Sequence, residues 1–152
     1  MNESGTKGRV LLSQVLTWLL LGGLGALAAL LPYLLKGYLA EYASPAVSSS
    51  FTPVLILCYC ALAPGFFAGI LMLGLLRRVK KGLIFVSPSA VFIQLLAVCC
   101  FVECGVFALL AKFFLISAGV AFAALFLGIA LLVVADVVAA GTEIKTENDF
   151  TV

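Results

Sequence analysis

The sequence predicts an all-α integral membrane protein, a bundle of four membrane-spanning helices. Of its 152 residues, 64% are hydrophobic and only 11% are charged, whereas a soluble domain is about half apolar and about a quarter charged. So few charges cannot cover a surface that faces water, which excludes the soluble, disordered and secreted disulfide-rich classes. A helical span needs about 20 apolar residues, so four spans and short loops use nearly the whole chain.

Four apolar runs define the expected spans. Polar segments interrupt the hydrophobic pattern after Leu35 and after Leu76, and Lys112 marks a tight turn. Before the third run, Ser87 is a typical helix cap and Pro88 suits a first helical position. We therefore predict a single domain over 1–152, with spans at about 10–35, 53–76, 89–111 and 113–140, a loop at 77–88 and a tail at 141–152.

The basic residues predict the orientation. If both termini and the loop 77–88 face the cytoplasm, seven of the nine basic residues lie inside and only Lys36 and Lys112 lie outside. Loops rich in Lys and Arg stay on the cytoplasmic side, so we expect an N-in, C-in, multi-pass protein of the cell membrane. The seven inner residues are Lys7, Arg9, Arg77, Arg78, Lys80, Lys81 and Lys145.

Glu103 is the deepest ionisable residue in the predicted spans, just past the middle of the third. Burial disfavours a charged carboxylate, so we expect a neutral group that donates a hydrogen bond to a backbone carbonyl or a polar neighbour. Gln94 lies about 180° around the same helix and is no partner. Asp136, near the inner surface, can reach headgroup water or pair with Arg77, Arg78 or Lys80. For Glu103, a structural role and a proton, cation or ligand site both stay open.

Enzyme and cofactor motifs are absent from the sequence. The chain has no histidine, no nucleophile elbow and no phosphate-binding glycine loop. Its five cysteines lie in apolar runs without a Cys-x-x-Cys spacing, which is typical of small buried hydrophobes. We therefore expect no enzyme, no metal site and no cofactor.

Small residues recur at every fourth position in three of the runs. Such faces let helices approach closely; we expect packing within one bundle, with a homo-oligomer face as the alternative. The positions are Gly22 and Ala26, then Ala61, Gly65 and Gly69, then Ala124 and Gly128.

The tail from Thr142 to Val152 alternates charged with uncharged side chains. This is a strand period, so the tail is either a disordered acidic segment or an extended one that adds to a partner or to the basic loop.

The tail and the loop also carry a family resemblance. The ending Glu147-Asn148-Asp149-Phe150-Thr151-Val152 resembles the Glu-Asn-Asp-Leu-Thr-Val/Ile ending of an uncharacterised family of bacterial four-span membrane proteins, a domain of unknown function. The loop resembles that family in its basic run, followed by Gly82, Phe85 and Ser87-Pro88. It departs from the family after this point, because members often continue with Asn and more basic residues. Since members are often encoded beside a small helix-turn-helix regulator of the Xre type, the resemblance implies such a partner.

The leading functional expectation is a non-enzymatic membrane regulator or anchor for a small cytoplasmic transcription factor. The basic run of the chain lies between two apolar runs. At such a position we expect a role at the membrane surface and no direct nucleic-acid binding. The alternatives are a small proton- or ion-coupled transporter or channel oligomer that uses Glu103, and an auxiliary subunit of a larger membrane complex. The expected docking residues are Arg77, Arg78, Lys80, Lys81, Phe85, Glu147, Asn148, Asp149 and Phe150.

Overall fold

The described part of the chain forms four long α-helices. A computed structural model describes residues 3–42, 51–81 and 87–150, with side chains described for 8, 10–41, 51–81 and 89–144. No strand occurs among the described residues, so the predicted all-α fold is confirmed. The helices are α1 (Glu3–Tyr42), α2 (Phe51–Lys80), α3 (Ser87–Leu110) and α4 (Ile116–Phe150).

Each helix contains a stretch that is long and apolar enough to cross a membrane. These stretches are Val10–Glu41, Phe51–Lys80, Ser89–Leu110 and Ile116–Ile144. Large apolar side chains on their outer faces stay exposed, including Leu19 at 70% and Phe122 at 72%. Apolar surface of this extent needs lipid around it. The protein is a multi-pass membrane protein, and these faces contact the bilayer.

The helices pack in chain order, α1 on α2, α2 on α3 and α3 on α4, with the last interface the most extensive. Successive helices run antiparallel. At the end where α1 and α3 finish, Leu35, Val54 and Leu110 form a buried apolar cluster. The Tyr38 and Phe114 rings pack there in a T-shaped arrangement with their centroids 5.5 Å apart. We call the opposite end, where α2 and α4 finish and α3 begins, the basic end.

The α3–α4 connection is a tight turn at 111–115. The Phe113 N–H donates to the Leu110 carbonyl at 2.9 Å, and the Ser117 N–H donates to the Phe114 carbonyl at 2.9 Å. Lys112 is exposed on this turn. The fourth helix begins at Ile116, three residues after the position expected from hydropathy.

The sequence predicted either an extended or a disordered tail. Over residues 142–150 the structure shows neither, because α4 continues as a helix to Phe150. The strand prediction is wrong there because extending a long helix by one residue costs far less than nucleating a new element. The Thr142 hydroxyl also satisfies the Val138 carbonyl at 2.8 Å. Val152 lies outside the described residues.

Glycines allow the closest helix contacts. A Cβ at Gly69 would lie 2.5 Å from Leu21 Cδ2, and one at Gly128 would lie 3.0 Å from Phe101 Cε1. Gly22, by contrast, has open space around it. The small-residue pattern therefore marks packed faces on α2 and α4, whereas the position at Gly22 is open.

A proline in α1 creates a bond between α1 and α2. Pro32 lies inside α1 and has no N–H, so it leaves the Ala28 carbonyl without its helical donor. The Tyr59 hydroxyl of α2 donates to this carbonyl at 3.0 Å. In a bilayer a freed carbonyl needs such a donor from a neighbouring helix, so Tyr59 stabilises α1 against α2.

We expect Tyr59→Phe to lower the free energy of unfolding by about 1 kcal/mol, because the Ala28 carbonyl loses its donor in a water-poor site. In a Pro32→Ala background the new backbone N–H at position 32 can donate to the Ala28 carbonyl in place of the Tyr59 hydroxyl. In that background Tyr59→Phe should therefore cost almost no stability. Detergent-micelle unfolding of the four variants gives this coupling energy. Tyr33→Phe is the matched control, since Tyr33 is 76% exposed. Equal costs of Tyr59→Phe in both backgrounds would contradict the assignment.

Candidate functional site

Glu103 places a carboxyl group between α2 and α3. A Cβ at Gly65 would lie 3.6 Å from Glu103 Oε1, so the missing side chain lets the carboxyl lie close to α2. Its second oxygen, Oε2, is buried and has no hydrogen-bond partner among the described residues. The expected hydrogen bond from the carboxyl to a backbone carbonyl or a polar neighbour is therefore not formed by this oxygen within them. Apart from Cys58, the other residues that line the adjacent cavity are apolar.

The carboxyl group faces an apolar space inside the bundle. A cavity of about 290 Å³ is lined by Glu103 together with Cys58, Gly65 and Phe107. A larger cavity of about 580 Å³ is lined by residues from all four helices. Leu24 and Gly65 border both cavities, so the two are adjacent. A lone carboxyl beside an apolar cavity can exchange a proton or bind the polar group of a ligand.

The other two intramembrane candidates are not brought to Glu103. Gln94 is exposed on α3, and Asp136 is exposed on α4. Leu96 and Leu131 line the same cavity, so Asp136, about one and a half turns beyond Leu131, lies near the basic end. Within the described part of the chain Asp136 forms no ion pair with the basic run, so the expected pairing is not formed there.

The basic run forms a cup together with one aromatic ring. Arg77, Arg78 and Lys81 line a cavity of about 390 Å³ with Gly74 and Phe92. The Arg78 guanidinium lies 5.1 Å from the Phe92 ring centroid. A Cβ at Gly74 would lie 2.8 Å from Phe92 Cε1, so only glycine lets the ring pack directly on the α2 backbone.

Gly74 and Phe92 did not emerge from the sequence as site residues. The one signal in the sequence is that Gly74 precedes Arg78 by four residues, which puts both on one face of α2. The contact with Phe92 is tertiary. Lys80, predicted with the others, is exposed and is not among the residues that line the cup.

The remaining docking candidates are only partly described. Phe85 lies outside the described residues, and so do the side chains of Glu147, Asn148, Asp149 and Phe150. The backbone of the last four belongs to α4. Because α2 and α4 run in the same direction, their carboxyl ends lie at the same end of the protein, the basic end.

The cysteines do not form a site. All five are free thiols, Cys99 buried and Cys60 exposed. Within the described ranges no three His, Cys, Asp or Glu side chains come together as metal ligands would.

Comparison with known families identifies the relatives of the chain. Residues 34–152 match the family described as a protein of unknown function, DUF2975. The chain belongs to this family. The DUF2975 match covers α2, α3 and α4 with both polar sites, and it confirms the resemblance to a family of unknown function. Comparisons with curated proteins and with solved structures found no match.

Proposed function

We propose that this DUF2975 protein is a non-enzymatic membrane regulator or anchor that holds a small helix-turn-helix regulator at the cytoplasmic face of the cell membrane. The observation that supports this best is the continuation of α4 to Phe150, past the apolar run of the sequence, which ends at Ala140. The extension, residues 142–150, is about 13 Å long. With an N-in, C-in orientation it projects into the cytoplasm beside the basic run.

The chemistry of the extension favours a basic partner. Glu147 and Asp149 lie in the last turn of α4, where the helix dipole disfavours negative charge. A positively charged protein surface offsets that cost, and DNA-binding regulators carry such surfaces. Exposed ion pairs contribute only about 0–1 kcal/mol each, so apolar contact is needed as well. Ile144, which is 63% exposed, and Phe150 provide it, in helix-to-groove docking rather than strand addition.

Deleting residues 147–152 tests the proposal. We expect the truncated protein to insert and fold normally, because the deleted segment lies beyond the apolar stretch of α4. Capture of the helix-turn-helix regulator should fall about tenfold, the loss that one or two charge-assisted contacts produce. The measurement is co-purification from native membranes, quantified by mass spectrometry.

Two controls accompany the truncation. Lys112→Gln removes a charge at the opposite end of the bundle and should leave capture unchanged. Glu147→Gln with Asp149→Asn retains the helix but removes its terminal charges, and should reproduce most of the loss. The proposal fails if the truncated protein keeps every cytoplasmic partner of the full chain.

A second candidate function is proton- or ion-coupled transport through Glu103. The observation that favours it is the buried Oε2 beside an apolar cavity, with no hydrogen-bond partner among the described residues. A carboxyl oxygen without a structural hydrogen bond is free to exchange a proton for a ligand, the property that a coupled carrier needs. Flux across vesicle membranes distinguishes this function from docking at the basic end.

A further inference from the structure

Arg78 is held in place before any ligand binds. Its guanidinium lies over the Phe92 face at 5.1 Å, and the ring is held against α2 because Gly74 has no side chain. A cation over an aromatic face is stabilised while its N–H groups remain available at the edges of the plane. Arg78 is therefore oriented by α2 and α3 together, as a binding residue needs to be.

The positive charge of the cup has no partner in the described part of the chain. Neither Asp136 nor Glu143, the described acidic residues nearest this end, forms an ion pair with Arg77, Arg78 or Lys81. The sequence between α2 and α3, Gly82 to Val86, carries no charge. Any anion that binds these three cations therefore comes from another segment or from outside the chain.

The position of the cup in the bilayer identifies the kind of anion. The apolar part of α2 ends at Leu76, directly before Arg77, so the cup lies at the level of lipid headgroups. Below it the outer faces of the helices are apolar and exposed, with Ile70 at 61% and Leu95 at 39%. Ile70, Gly74, Arg77 and Lys81 follow one face of α2, at spacings of four, three and four residues. This face can hold an acyl chain and the phosphate above it.

We propose that the cup binds the headgroup phosphate of one anionic phospholipid. Arg77, Arg78 and Lys81 donate charge-assisted hydrogen bonds to the phosphate oxygens, and the acyl chains lie along the apolar face beneath. Lys80 is outside the cup and stays available to a protein partner. The site is independent of the docking role of α4, because it uses α2 and α3 alone.

Native mass spectrometry of the delipidated full chain tests the site, with phosphatidylglycerol added at increasing concentration. We expect one lipid to bind in preference to the rest. Arg78→Gln should weaken its binding about tenfold, the typical effect of losing hydrogen bonds to a charged group. Phe92→Leu should weaken it about threefold, because it removes the ring face that orients the guanidinium. Arg78→Lys keeps the charge but loses the planar group of N–H donors. Its affinity for the lipid should be between those of the wild type and Arg78→Gln.

Lys80→Gln is the matched control, since it removes the same charge two residues away but outside the cup. It should weaken lipid binding much less than Arg78→Gln does, because Lys80 does not line the cup. The site is refuted if Lys80→Gln and Arg78→Gln weaken binding equally, or if phosphatidylcholine binds as well as phosphatidylglycerol. Inorganic phosphate at the same phosphate concentration should displace no lipid; displacement would show that the ligand is soluble phosphate.

Discussion

Replacing Gly128 with leucine should lower the free energy of unfolding by about 3 kcal/mol, because overpacking at a rigid contact has costs of this order. A Cβ at this position would lie 3.0 Å from Phe101 Cε1 and 3.3 Å from Cys100 Cβ. Cys100 Cβ is attached directly to the α3 backbone, so it cannot rotate away. The leucine must therefore separate α3 from α4, which form the most extensive interface of the bundle.

The same substitution elsewhere in α4 gives a matched control. A Cβ at Gly119 would have no atom of a neighbouring helix within 4 Å, so Gly119→Leu adds an apolar group to an open face and should leave stability nearly unchanged. Unfolding in mixed micelles, followed by circular dichroism, compares the two variants. If they unfold alike, the packing of Gly128 on α3 is not what stabilises the bundle.

Hydropathy was sufficient to predict the number of helices because membrane spans depend on composition and length, both of which are local. Which small residues are packed is not local. Gly22 and Gly69 look alike in the sequence, yet only Gly69 meets a neighbouring helix, where Leu21 approaches it. The spacing of small residues marks the faces that can pack, and tertiary structure selects among them.

In the tail and at the polar sites, too, local sequence signals did not predict the structure that forms. Alternation over Thr142–Val152 is a weak local signal, and helix continuation from α4 dominates over 142–150. The Phe92 ring reaches Arg78 only because α2 and α3 pack at Gly74. Likewise, the sequence indicates that Glu103 is deep in the membrane, but only the arrangement of the helices shows that Oε2 has no hydrogen-bond partner within the described ranges.

That unpartnered oxygen leads to the second large prediction: replacing Glu103 with methionine should stabilise the protein. A buried polar group without a hydrogen bond costs about 1–3 kcal/mol, and methionine fills the same irregular space with an unbranched apolar chain. We expect a gain within that range in micelle unfolding. Glu103→Gln is the matched control, because its amide keeps a polar group in the apolar site and should bring no comparable gain.

The stability gain also separates the two roles of Glu103. If the carboxyl were a structural hydrogen-bonding group, Glu103→Met would lower stability by removing its bonds. A residue that destabilises the fold persists where its chemistry is used, since function and stability often oppose each other at such sites. The same variants should therefore abolish substrate-dependent proton flux in reconstituted vesicles if Glu103 carries transport. If Glu103→Met raises the free energy of unfolding but leaves proton flux unchanged, Glu103 is not the proton site. If Glu103→Met lowers the free energy of unfolding, the carboxyl has a structural role.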